Sequence, residues 1–281
     1  MNLVFDSLLK QLSNTDKCYP IAYADNFAIL VTGNSRNQIE DSSRRAVQLL
    51  DAWCIQHKMI LSTDKTVDLL LKGKLDKERL PRINFQNRPL RFHQHVKYLG
   101  VIIDTQTKFT SHSKYVADKA KNLVNKYAAI CGLNWGVPFK EMATIYRGSF
   151  VPVVSYAAYA WIDHLNSVTI RKIITAHRCA LIRVTKSYRT TSTHLLKVLP
   201  NIQPIEHELQ IEELRYCLRK SLSCSIYGKV YDTVVQNHKP VIQLLKTDLT
   251  TKWNDTWQTS TLGRTTYDFF PSANERKTRR T

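Results

Sequence analysis

Tyr19-Pro20-Ile21-Ala22-Tyr23-Ala24-Asp25-Asn26-Phe27-Ala28-Ile29-Leu30-Val31-Thr32 places two short β-prone runs, Tyr19–Ala24 and Phe27–Thr32, on either side of an Asp-Asn pair. Two such runs separated by two turn-forming residues predict a tight antiparallel hairpin with Asp25-Asn26 at its tip. A carboxylate held on a rigid tip is suited to bind a divalent cation, because Mg²⁺ takes oxygen ligands in a demanding geometry. Asp-Asn is equally a favoured turn pair that needs no metal. The residues alone leave both readings open.

Downstream of the hairpin, Gly33-Asn34-Ser35 ends the second strand and offers an N-cap. Ile39, Ala46, Leu50, Trp53 and Cys54 then recur at helical spacing, which predicts a helix to about His57. Strand patterns follow at Val67–Leu71, Arg82–Phe85 and Leu90–Phe92, with the strongest at Val96–Ile103, ending at Asp104. Residues 1–105 thus read as an α+β arrangement of hairpin, helix and further strands.

Beyond Ser111 the period changes. Val116, Ala120, Leu123, Val124 and Tyr127 mark a helix, Pro138–Phe150 begins another, and Ile170–Val184 and His207–Leu222 continue the helical pattern. A Pro-containing turn at Leu199–Pro204 separates the last of these from Thr193–Val198. The final forty residues carry no clear pattern, and Glu275–Thr281 is a basic tail expected to be unstructured.

Charge narrows the function classes. Lys plus Arg is 41 against 23 Asp plus Glu, a formal net charge of +18. A surplus of that size attracts polyanions. The basic residues are spread along the chain and not gathered on one amphipathic helix, which favours nucleic acid over a membrane surface. Val151–Trp161, the most apolar stretch, is too short to span a bilayer and is expected to pack inside the fold. Met1–Leu12 has no extended hydrophobic core and reads as no secretory signal. Six cysteines without a CxxC pair predict buried, reduced thiols in an intracellular protein; a nuclear location is a separate expectation.

Several landmarks occur in one order. Tyr23-Ala24-Asp25-Asn26 is followed by Trp53-Cys54, then Leu61-Ser62-Thr63-Asp64-Lys65-Thr66, then Lys97-Tyr98-Leu99-Gly100-Val101. After these come Ile145-Tyr146 through Val151-Pro152 to Tyr156 and Trp161, Ser187–Thr193 followed by Leu199, and Tyr267-Asp268-Phe269-Phe270-Pro271. This series resembles the reverse transcriptases of non-LTR, LINE-type retrotransposons, most of all arthropod elements that insert into ribosomal RNA genes. In that family the hairpin signature is Tyr/Phe-Ala-Asp-Asp.

The resemblance implies an α+β partial polymerase palm over 1–105 (hairpin, helix, antiparallel strands), a helical thumb over 106–165, a helical carboxy-terminal region over 166–272 and a basic tail over 273–281. It implies RNA-directed DNA synthesis by two-metal nucleotidyl transfer, with an RNA template, a DNA primer or duplex and dNTP as partners. Asp25 would bind catalytic Mg²⁺, with Asn26 beside it. Lys65 would lie near the incoming nucleotide, and Lys97, Tyr98, Leu99 and Gly100 would hold the primer end. Lys114, Lys121 and Lys126, with Lys119 and Lys140, would contact duplex phosphates. Lys65 is also an ordinary solvated lysine, and Tyr98 an ordinary packing residue, by the residues alone.

Two departures bear on activity. Asn26 stands where the family has a second aspartate, a pattern that resembles the Asp-Asn turn of some viral RNA polymerases. The family's fingers, and an earlier palm strand with another metal-binding aspartate, would precede residue 1. Met1–Leu12 resembles the end of a helix in that preceding region, and Asp6 and Asp16 are the only carboxylates ahead of the hairpin. The expectation is a fragment that does not polymerise alone, or, in a second class, a non-catalytic RNA- or DNA-binding protein using its basic helices and the aromatics Tyr115, Tyr127, Trp135 and Tyr188.

Overall fold

The computed structural model describes residues 2–24, 26–71, 79–86 and 88–273, which include neither Asp25 nor the tail beyond residue 273. The chain divides into two compact units, Met1–Thr107 and Lys108–Thr281.

In the first unit, α1 (Asn2–Ser13) leads into β1 (Cys18–Tyr23) and β2 (Asn26–Val31), an antiparallel hairpin with Tyr23 paired to Asn26 and Cys18 to Val31. Helix α2 (Arg36–Gln56) follows, capped where the Gln38 amide donates to Ser35 Oγ at 3.3 Å. One hairpin face packs on the helices. Cys18 from β1 and Phe27, Ile29 and Val31 from β2 join Phe5, Leu8 and Leu12 of α1 and Ala46, Leu50, Trp53 and Cys54 of α2. Trp53 stacks on Phe5 with ring centroids 5.2 Å apart, and its indole N–H donates to Ser7 Oγ at 3.0 Å.

The hairpin tip differs from expectation. Tyr23 and Asn26 close the hairpin as a pair, so Asn26 is the first residue of β2 and not a turn residue. Pro20 supplies the reason. Antiparallel pairs alternate between hydrogen-bonded and non-hydrogen-bonded positions. The Thr32 amide donates to Lys17 O at 3.0 Å, which makes 17–32 a bonded pair and puts Pro20, opposite Ile29, at a non-bonded one. A turn at Asp25-Asn26 would reverse that alternation and set Pro20, which lacks an N–H, where a ladder donor is needed.

The remainder of the first unit holds a 3₁₀ turn at Thr63–Lys65 and two small hairpins: β3 (Asn84–Phe85) with β4 (Arg88–Pro89), and β5 (His95–Tyr98) with β6 (Val101–Asp104). The single strand expected over Val96–Ile103 is therefore two. Leu99 (φ 45°) and Gly100 (φ 83°) form the turn between them, with positive φ at both positions as a type I′ turn requires. Val67–Leu71 is not a strand either. Asp68 alone makes a parallel bridge to Phe92, its backbone bonding to Arg91 O and the His93 amide. The strand expected over Arg82–Phe85 shortens to two residues, because pairing begins at Asn84.

The second unit is mostly helical. It comprises α3 (Thr110–Ile130), α4 (Phe139–Ser155), α5 (Ser167–Thr185), α6 (Thr193–Val198), α7 (Ile205–Lys220), the hairpin β7 (Cys224–Ile226) with β8 (Lys229–Tyr231), α8 (His238–Thr259) and α9 (Arg264–Tyr267). The hairpin again turns on two positive-φ residues, Tyr227 and Gly228, and no expectation had covered it. One core runs through Val116 and Ala120 of α3, Phe150 and Val154 of α4, Trp161, and Ile173 and Leu181 of α5. Helices before and after residue 165 therefore share an interior. Trp161 is fully buried, so the apolar run Val151–Trp161 serves that core as expected.

A long helix also occupies the stretch that lacked a clear pattern. On α8, Trp257 donates from its indole to Phe270 O at 2.8 Å, and Tyr267 and Phe270 pack on Trp253 and Trp257. The fold class is α+β, with four two-stranded antiparallel sheets among the described residues. No described helix is long and apolar enough to cross a membrane. All six cysteines are free, and five of them are buried.

Candidate active site and nucleic-acid interface

Directly opposed residues of an antiparallel pair project to the same face. Tyr23 and Asn26, Ile21 and Ala28, and Tyr19 and Leu30 therefore share the face turned away from α1 and α2. Tyr19, Ile21, Tyr23 and Leu30 are all exposed there. The tip is thus an open, largely apolar surface with the Asn26 carboxamide at its end. Ala24 sits at φ 53°, a conformation that costs a non-glycine residue about 1 kcal/mol. Asp25, the expected metal ligand, lies outside the described residues.

Among the described residues no three His, Cys, Asp or Glu side chains cluster into a metal site. The Asn26 carboxamide does not by itself meet the oxygen set that Mg²⁺ takes.

Lys65 ends the 3₁₀ turn of the Leu61–Thr66 segment and is exposed. Its amide bonds to Ser62 O at 3.3 Å, and Thr66 Oγ1 donates to the same carbonyl at 2.8 Å, so the turn is held by its own backbone and hydroxyl. On the β5–β6 hairpin, Lys97 is exposed and pairs with Ile102. Tyr98 is half-buried; burial raises its phenol, whose oxygen has no hydrogen-bond partner among the described residues. Leu99 and Gly100 are the turn itself.

Lys114, Lys121 and Lys126 belong to the second unit, on α3. They are exposed, while Val116, Ala117, Ala120 and Tyr127 turn inward. Lys114 and Lys121 lie two helical turns apart in one row, and Lys119 and Lys126 form a second row, each spanning about 10 Å. Lys119 also rests over the Tyr115 ring at 4.9 Å. Asp118 is the one acid in this stretch of the helix, between residues 114 and 126. A helix surface of this kind can hold a polyanion through its phosphates.

Of the four aromatics expected to be available, Tyr127 is buried, its hydroxyl 2.6 Å from Ser149 Oγ, and Tyr115 is half-buried. Trp135 and Tyr188 are exposed.

Two residues were not anticipated. Burial raises the Asp68 carboxyl from 3.8 to about 6, and its Oδ2 has no hydrogen-bond partner among the described residues. The available signal was an acid inside the apolar run Val67–Leu71. Arg178 on α5 donates to Arg189 O at 2.7 Å, Thr191 O at 2.8 Å and Thr193 Oγ1 at 2.6 Å, fixing the Ser187–Thr193 segment. Nothing in the sequence alone pairs that arginine with a loop eleven residues on.

Comparison with known proteins gives related sequences. The Retrovirus-related Pol polyprotein from type-1 retrotransposable element R1 4 of Nasonia vitripennis is 30% identical over 270 residues, covering 89% of this chain and 68% of that protein. The Pol polyprotein of element R1 2 from the same organism is 28% identical over 95% of this chain and 67% of its own length. The Pol polyprotein of element R1 of Bradysia coprophila is 28% identical over 90% of this chain but only 25% of its own length. The chain thus spans about two thirds of the first two relatives and a quarter of the third. No family model matches the sequence, and no solved structure matches it.

Proposed function

The chain belongs to the Pol polyproteins of the type-1 R1 retrotransposable elements, a non-LTR, LINE-type group, and on that premise we propose that it is a reverse-transcriptase segment with a palm hairpin and a helical, duplex-holding region. The observation that carries this reading is Tyr23-Ala24-Asp25-Asn26 at the tip of an antiparallel hairpin in a member of that family. Asp25 would be one oxygen ligand of a divalent ion, Lys65 would face the nucleotide, and Lys97–Gly100 would meet the primer. The exposed lysines of α3, in a chain of net charge +18, support a thumb that grips RNA–DNA hybrid.

These 281 residues are proposed to hold template–primer without extending it. One aspartate beside an amide supplies too little negative charge for two divalent ions. Asp6 is engaged by Lys10 at 2.6 Å within α1. Asn26 equally favours the second class, a non-catalytic RNA- or DNA-binding protein derived from the element.

Two measurements test the reading. In primer extension on an RNA template with Mg²⁺ or Mn²⁺, the expected result is no product, and template-dependent product overturns the claim of inactivity. In hybrid binding, the combined change of Lys114, Lys121 and Lys126 to Ala should lower affinity and flatten the salt dependence by about 0.7–0.9 log units per lost phosphate contact. Unchanged binding would remove the grip from α3.

A further inference from the structure

A large aromatic on a surface usually signals nothing. Trp135 is unusual in how firmly it is kept there. It ends a tight turn in which Gly132 N–H donates to Trp135 O at 3.1 Å and Val137 N–H to Ile130 O at 3.1 Å, closing a bridge between Cys131 and Gly136. A Cβ on Gly132 would collide with the Trp135 indole, and one on Gly136 (φ +83°) with Ile130 O. Gly132 therefore lets the indole lie close against the backbone, Gly136 lets the turn close, and the ring remains 58% exposed. Beside it, Leu133 is exposed as well.

A second turn lies next to the first. Lys186, the C-cap of α5, donates from Nζ to Trp135 O at 3.2 Å, and Cys131 Sγ approaches Arg183 O at 3.5 Å. Two residues beyond Lys186, Tyr188 begins a turn closed by Thr191 N–H donating to Tyr188 O at 3.1 Å. The Arg178 guanidinium clamps that turn from beneath, and Tyr188 is 73% exposed with Arg189 and Thr190 exposed beside it. Both exposed aromatics thus stand on pinned backbone, joined through Lys186.

Along the chain on either side of each ring the charge has one sign. No Asp or Glu occurs between Asp118 and Glu141, where four lysines do, and none between Asp163 and Glu206, where seven Lys or Arg residues do. Aromatic faces interleaved with cations stack bases and hold the intervening phosphates. Asn134 and Thr190, exposed next to the two rings, each carry a donor and an acceptor, the pairing a ribose 2′-hydroxyl requires.

We propose that the Trp135 turn and the Tyr188 turn form one surface that binds single-stranded RNA, its bases stacked on the two rings and its phosphates held by Lys186 and Arg189. The surface begins where α3 ends at Ile130; it rests on the nucleic-acid-binding reading and not on the polymerase one.

The test is fluorescence anisotropy of the full chain with a labelled single-stranded RNA of about a dozen nucleotides, an RNA–DNA hybrid and single-stranded DNA of the same sequence. Trp135→Ala and Tyr188→Ala should each weaken single-stranded RNA binding roughly 5- to 100-fold while leaving hybrid binding within about twofold. Trp135→Phe and Tyr188→Phe should keep most of the affinity, and RNA should quench part of the tryptophan emission, a quench that Trp135→Phe abolishes. The Phe variants and the wild-type quench decide the matter if an alanine variant fails to fold. Unchanged RNA affinity in the alanine variants, equal loss on the hybrid, or equal affinity for single-stranded DNA would each overturn the proposal. So would self-association that the alanine variants abolish without affecting RNA binding, which would make the surface a protein contact.

Discussion

Tyr23 and Asn26 oppose each other as the closing pair of the β1–β2 hairpin, so their side chains project to the same open face. The residue that departs from the family's Asp-Asp signature is therefore a strand residue with a set direction. Its side chain emerges beside Tyr23, on the face that α1 and α2 leave uncovered.

That direction makes Asn26→Asp informative. A carboxylate at this position adds a full charge next to Asp25 without changing the turn. Mn²⁺ affinity, read by calorimetry or by the ion's spin resonance, should rise about tenfold or more. No change would mean that the two side chains do not converge on one ion.

The Leu99-Gly100 turn makes opposite demands on its two positions. Leu99 at φ 45° is strained, whereas Gly100 at φ 83° is at ease. Leu99→Asn should stabilise the first unit by a few tenths to about 1 kcal/mol, and Gly100→Val should destabilise it by about 1–2 kcal/mol. Urea unfolding midpoints of the two variants should move in opposite directions.

Asp68 provides a pH signature. Its folded pKa, about 6, lies above the unfolded 3.8, so the folded state holds the extra proton between those values. Stability from this group is highest below the unfolded pKa and falls as pH rises toward 6. The full effect is roughly 3 kcal/mol at most. Asp68→Asn should therefore raise the melting temperature near neutral pH, with the gain shrinking in acid. An equal gain at all pH values would refute the assignment to ionisation.

The second unit should respond to acid in the other sense. Burial lowers His177 from 6.5 to about 3, and His112 and His207 to about 4, with the Lys197 charge adding to the effect at His177 and His207. The unfolded chain then binds protons that the folded one refuses. Stability is present above pH 6.5 and is lost as pH falls from there toward 4. His177 lies beside Tyr146 and Phe150, and its Nε2 has no hydrogen-bond partner among the described residues. His177→Phe should therefore flatten the loss in thermal melts followed by circular dichroism. A variant as acid-labile as the parent would place the sensitivity elsewhere.

Much of the fold is legible in the sequence where the signal is local. Ser35 ahead of a periodic apolar stripe marks α2, and the motif order marks the family. The features that are not legible depend on partners far along the chain. Leu-Gly and Tyr-Gly are weak turn signals, and only pairing across the strands turns Leu99-Gly100 and Tyr227-Gly228 into hairpin tips. The α8 stripe is hard to read because its few buried positions are split between two small cores: Leu245 and Leu249 pack with α7 and the β7–β8 hairpin, Trp253 and Trp257 with Val198 and the Tyr267–Phe270 segment.

The sequence by itself determined the hairpin, most of the helices, the basic character and the family, because each is written in near-neighbour spacing or in the chemistry of the individual residue types. Tertiary structure alone decided which pair of residues turns the first hairpin, since Pro20's missing donor matters only once Ile29 lies opposite it. It also decided which aromatics face water. Tyr127 and Trp135 stand eight residues apart in the sequence, but α4 covers the first while Gly132 beneath the indole and the neighbouring Lys186 turn keep the second in the open.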